Sequence, residues 1–98
     1  MSRKKIVVLG FMGTCPVAGV IWQHLHYIVG LQRLGHEVWY VEDGTRYPYD
    51  PEAFTITEDI SYATRMFGRL ADEYGFAGRW CFCGRYEGEP RMAGLDLA

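Results

Sequence analysis

Residues Lys4–Leu9 (Lys-Lys-Ile-Val-Val-Leu) run directly into Gly10-Phe-Met-Gly13-Thr-Cys-Pro-Val-Ala-Gly19, and a helix-patterned stretch follows. A strand, a glycine-bearing loop and a helix in immediate succession restrict the fold more than any other feature of the chain. Ile6–Leu9 is continuously apolar, the pattern of a strand covered on both faces. From Val20 to Leu34, Ile21, Leu25 and Ile28 recur at helical spacing, while Gln23, His26 and Arg33 mark the polar side. Gln32 is a misfit, because it falls toward the apolar side. Gly35 is placed to end the helix in the left-handed conformation. His36-Glu37-Val38-Trp39-Tyr40-Val41 is β-branched and aromatic, a second strand that closes at the turn signal Glu42-Asp43-Gly44.

Thr45–Phe54, with Pro48 and Pro51 among aromatics and acids, reads as a long loop. Thr55-Ile-Thr-Glu58 has the form of a capping box. Ile60, Ala63, Phe67, Leu70 and Tyr74 then step at helical spacing, which predicts a helix near 58–74 stopped by Gly75. Arg79–Cys83 predicts a third strand, and Tyr86–Ala98 carries no clear pattern. The order β-α-β-α-β implies an α/β fold with a parallel sheet and right-handed crossovers. Strands near 5–9, 37–42 and 79–83 would lie in spatial order 3-2-1. The expected architecture is a Rossmann-like β-α-β-α-β half over residues 1–98, a fragment of a larger doubly wound domain. The strand that would complete the ligand crevice is the next one, on the far side of strand one. Ile6–Leu9 is therefore expected at an open edge, prone to self-association.

The chain has 98 residues, 49% apolar and 22% charged, which suits one globular domain. Its net charge is −2 and Lys and Arg are scattered, so nucleic acid is not an expected partner. Arg3-Lys4-Lys5 before Ile6–Met12 imitates the start of a secretory signal, but Gly10 and Gly13 break a short apolar run, and a first strand explains it better. No run of roughly 18 apolar residues is present to span a bilayer. The cysteines are Cys15, Cys81 and Cys83. The last two are too close for an ordinary bridge, which points to a reducing, cytoplasmic compartment. Cys-Phe-Cys without a second pair argues against a metal site, and no cofactor is expected.

The loop Gly10-x-x-Gly13 … Gly19 is neither Gly-x-Gly-x-x-Gly nor followed by Gly-Lys-Ser/Thr, so both nucleotide fingerprints fail. Three glycines and Thr14 before a helix N-terminus still favour a site approached by phosphate or sugar over a plain connection. An acid ending strand two holds a ribose in dinucleotide-binding folds, which makes Glu42 and Asp43 candidates, although Glu-Asp-Gly also suits a turn. Tyr47-Pro-Tyr-Asp-Pro51 suits either a packed loop or a sugar platform. His24 lies at the flank of the apolar face, His26 on the polar face, and His36 at a junction without chemistry.

Leu31-Gln-Arg-Leu34-Gly35-His36-Glu37-Val38, leading a helix into the second strand, resembles the N-terminal domain of glycosyltransferases with two Rossmann-like domains, the GT-B fold. Ala18-Gly19-Val20 stands where retaining members carry a Gly-Gly-hydrophobic turn, with Ala18 in place of the first glycine. Tyr40-Val-Glu-Asp43 and Tyr47-Pro-Tyr-Asp-Pro51 are similar to uncharacterised bacterial glycosyltransferase-like proteins. The resemblance covers residues 4 to about 51 and is more specific for fold than for reaction. It implies that this domain binds the acceptor, while a missing C-terminal domain holds the nucleotide-sugar. Gly13, Thr14 and Gly19 would line the acceptor side, and backbone N–H groups near Gly19 and Val20 would face the donor phosphates. His24, Glu42 and Asp43 complete the candidate substrate-binding set. Inverting relatives often carry a base His in the loop after strand one. This loop has none, so the catalytic residues stay unassigned. Expected partners are the nucleotide-sugar, a small-molecule acceptor and the C-terminal domain, with weak association at a membrane surface. The alternative is a non-catalytic Rossmann-like module that binds a nucleotide or a sugar phosphate.

Overall fold

The computed structural model describes residues 3–57, 59–85 and 90–94. In chain order the elements are β1 (Lys5–Leu9), α1 (Ala18–Arg33), β2 (Glu37–Gly44), β3 (Tyr49–Asp50), β4 (Thr55–Ile56), α2 (Ser61–Tyr74), β5 (Trp80–Gly84) and β6 (Arg91–Gly94). Four strands form one sheet in the order β1-β2-β5-β6, and β3 and β4 form a separate antiparallel pair. β1 lies parallel to β2 with Val7 opposite Trp39, and β2 lies parallel to β5 with Val41 opposite Cys81. The fold is mixed α/β with a mostly parallel sheet.

The three parallel strands and both helices form where hydrophobic periodicity places them, and β1 is at the edge. Gly35 and Gly75 follow the two helices at φ 93° and 83°, a conformation open to glycine at little cost. Three expectations are corrected. The sheet is not purely parallel, because β6 pairs antiparallel to β5 with Phe82 opposite Ala93. An antiparallel neighbour needs no crossover helix, so four residues after Pro90 suffice and leave no periodicity to read. The expected capping box does not cap α2: Thr55 and Ile56 are spent on β4, and the N-cap, Ile60, makes no side-chain bond. Asp59 Oδ1 instead accepts the Ser61 N–H at 2.9 Å. Glu58, and the stretches 86–89 and 95–98 of the patternless tail, lie outside the described residues. Finally, β1 is not covered on both faces, since Val7 and Leu9 are 56% and 75% exposed.

Both helices lie on one face of the sheet. Val38 and Tyr40 of β2 alternate onto that face with Trp80 and Phe82 of β5, and they meet Leu25 and Ile28 of α1 and Ala63, Met66 and Phe67 of α2. Phe67 is the centre. It is fully buried, with ring centroids 5.2 Å from Trp80, 5.3 Å from Tyr40 and 5.9 Å from Phe82. The misfit Gln32 ties the helix ends together. Its Nε2 donates to the Tyr74 carbonyl at 3.0 Å, and its Oε1 accepts from Arg79 Nη2 at 3.1 Å. A polar residue on an apolar face is tolerated there because both ends of its amide are satisfied.

Phe67→Ala should lower the free energy of unfolding by about 3–5 kcal/mol, the usual cost of emptying a buried aromatic site. Urea denaturation checks this, and a loss below about 1 kcal/mol would show that the core is centred elsewhere.

Candidate functional site

β2 alternates its side chains, so Glu42 points the same way as Val38 and Tyr40, into the protein. The residue is 3% exposed. Four donors meet its carboxylate. Oε1 accepts the Gly13 N–H at 2.8 Å and the Tyr40 hydroxyl at 2.7 Å. Oε2 accepts the Thr14 N–H at 2.8 Å and the Thr14 hydroxyl at 2.7 Å. The Met12 N–H donates to Tyr40 Oη at 3.0 Å, so three successive backbone amides of the loop after β1 are bound, directly or through one phenol, to this carboxylate. Burial first, and then the negative charge of Glu42, hold the Tyr40 phenol far above its ordinary value, so it serves as a proton donor.

The glycines of this loop have a packing reason. A Cβ on Gly10 would collide with the His24 ring, and one on Gly13 would sit 2.7 Å from Phe82 Cε2 and 2.9 Å from Phe67 Cε2. The loop backbone therefore lies directly on the core. His24, also buried, supports it from α1: Nε2 accepts the Phe11 N–H at 3.4 Å, and Nδ1 lies 2.7 Å from the Val20 carbonyl. With Nε2 accepting, the proton belongs on Nδ1, which donates to that carbonyl.

Past Thr14 the chain turns outward. The Thr14 carbonyl accepts the Tyr49 N–H at 3.1 Å, which docks the β3–β4 hairpin against the loop. Between them opens a cleft of about 510 Å³ at the carboxyl ends of β1 and β2. Thr14 and Cys15 line it from the first loop, and Thr45, Arg46 and Tyr47 from the second. Tyr49 and Ile56 of the hairpin close the far side. Ligands of open α/β sheets bind outside the carboxyl ends of the strands, at the point where strand order reverses. This cleft shares that end of the sheet but lies between the loops after β1 and β2, not on the far side of β1.

Of the sequence-derived candidates, Thr14 lines the cleft. Gly13 and Glu42 are buried beneath it and bonded to each other, and His24 lies under the loop. Asp43, one residue on from Glu42, faces the other way and accepts from Arg85 Nε at 2.8 Å. Gly19 and the half-buried Val20 lie in the first turn of α1, whose N-cap, Val17, gives it no side-chain bond. Gly19 is exposed, and a Cβ there would meet nothing. Sequence reasoning missed the inward turn of Glu42, although its phase with Val38 and Tyr40 carried the signal. It also missed Arg46, which no periodicity marks. Among the described residues no group of three or more His, Cys, Asp or Glu stands close enough to hold a metal ion, and no helix is long and apolar enough to cross a membrane. No protein-family model, curated protein or solved structure matches the chain.

The Tyr40 environment generates a pH dependence. Below about pH 10 the phenol is protonated in both folded and unfolded chains. Above it the unfolded chain releases this proton and the folded chain keeps it, so stability falls as pH rises, by up to about 1.4 kcal/mol per pH unit. Urea titrations between pH 9 and 11 should show a shallower fall for Tyr40→Phe than for the native chain. Equal slopes would mean that the phenol ionises freely in the folded state.

Proposed function

We propose that these residues form the acceptor-side part of a glycosyltransferase, which moves a sugar from a nucleotide-sugar to an acceptor. The observation that carries this reading is the cleft at the carboxyl ends of the parallel strands, with Tyr47, Tyr49 and Arg46 among the residues on its walls. Aromatic faces suit the apolar side of a sugar ring, and a guanidinium suits an anionic group on it. The order β1-α1-β2-α2-β5, with both helices on one face, supports a Rossmann-like half. Among the described residues β1 ends the sheet, and the exposed side chains of Val7 and Leu9 suit its continuation by a further strand of the same doubly wound domain or by self-association. The Leu-Gly-His-Glu-Val junction adds the sequence resemblance.

One observation favours the second reading, a non-catalytic sugar or nucleotide binding module. Among the described residues, those lining the cleft include neither a carboxylate nor an imidazole, the usual proton-transfer groups. In either reading these 98 residues supply binding and orientation, which alone contribute substantially to bringing two reactants together.

Both readings place a sugar in the cleft, and chemical-shift mapping tests that. Titrating the chain with monosaccharides and nucleoside diphosphate sugars should move the amides of Thr14, Thr45, Tyr47 and Tyr49, and Tyr47→Ala should weaken the response about tenfold. Shifts confined to other surfaces would contradict the assignment. Sugar transfer by a protein containing these residues, lost in Tyr47→Ala without loss of melting temperature, separates the enzyme from the module.

A further inference from the structure

The chain carries a net charge of −2, yet among the described residues the charged group that lines the cleft is Arg46. The described carboxylates of β2, the loop after it and the hairpin are turned to other partners. Glu42 is buried against the loop amides, and Asp43 is held by Arg85. Asp50 Oδ1 accepts the backbone N–H groups of Glu52 and Ala53 at 2.8 and 3.1 Å, inside the hairpin turn. Glu52 pairs with Arg65 of α2 at 2.6 Å. Arg46 is exposed and lines the cleft, and no carboxylate among the described residues pairs with it. Among the described residues the remaining wall is hydroxyl, thiol, aromatic and aliphatic, and none of it offsets the Arg46 charge.

We infer that the cleft takes an anionic sugar, a hexose carrying a phosphate, as the acceptor rather than a neutral one. This rests on the reading of the cleft as a sugar site and specifies its ligand. The ring lies against Tyr47 and Tyr49, and the phosphate oxygens accept from the planar guanidinium of Arg46, which presents paired N–H donors suited to such a group. A neutral sugar leaves that cation solvated but gains nothing from it. Nearby protein walls reduce the screening that bulk water would impose on the pair.

Calorimetric titration of the chain with glucose 6-phosphate, methyl glucoside, inorganic phosphate and uridine diphosphate tests the inference, with Arg46→Gln as the variant. Arg46 has no ion-pair partner among the described residues, so the variant should keep the native melting temperature. Glucose 6-phosphate is expected to bind at least about tenfold tighter than methyl glucoside or inorganic phosphate. Arg46→Gln should abolish that advantage, and added salt should erode it. Equal affinity for the phosphorylated and neutral sugars, unchanged in Arg46→Gln, would overturn the anionic ligand and leave the sugar cleft standing. Tighter binding of uridine diphosphate than of glucose 6-phosphate would overturn it in favour of the donor. Binding of none of the four would overturn the inference and the sugar-site reading together.

Discussion

A carboxylate removed from water must have its oxygens satisfied or the fold loses several kcal/mol. Glu42 meets that demand with four donors, of which three belong to the loop that follows β1. The requirement works in both directions. The loop supplies the hydrogen bonds that make burial of the charge tolerable, and the charge fixes the path of the loop. Gly10 and Gly13 permit this only because they lack side chains, since the backbone lies against His24, Phe67 and Phe82. The core and the loop are thus one construction. Phe67 and Phe82 pack the interior and at the same time form the floor on which Gly13 rests.

The cleft inherits its shape from this arrangement. Thr14 is bonded to Glu42 through both its N–H and its hydroxyl, and its carbonyl holds the Tyr49 N–H. One residue thereby connects the buried anchor to the hairpin that forms the outer wall. Among the described residues the same disposition of charge leaves Arg46 as the cation of the cleft, because Asp43 and Asp50 are committed elsewhere. A glycine-bearing loop that looks built for a ligand anion is in large part occupied by an anion of the protein itself.

Much of the fold was legible because it depends on patterns that sequence carries directly. The spacing of Ala63, Phe67 and Leu70 fixes the buried side of α2, and Ile6–Leu9 marks β1. The short strands were not legible. β3 and β4 have two residues each, too few for any period, and they form because the Tyr49 N–H finds the Thr14 carbonyl far away in sequence. At the site, the importance of Thr14 and the neighbourhood of Glu42 could be read, but not their relation. An acid at the end of a strand resembles a ligand group or a turn former until its phase is counted. That phase groups it with Val38 and Tyr40 and sends it inward. Arg46 could not be found from sequence, because its significance lies in where Asp43 and Asp50 point.

Amide hydrogen exchange at Gly13 and Thr14, compared between the native chain and Glu42→Ala, tests the central role of this carboxylate most directly. In the native chain both amides should be protected like those of the central strand β2, since their acceptor is buried. In Glu42→Ala they should exchange at the rate of an open loop while the β2 amides stay protected. Rapid exchange of the two amides in the native chain, or protection that survives removal of the carboxylate, would contradict the account.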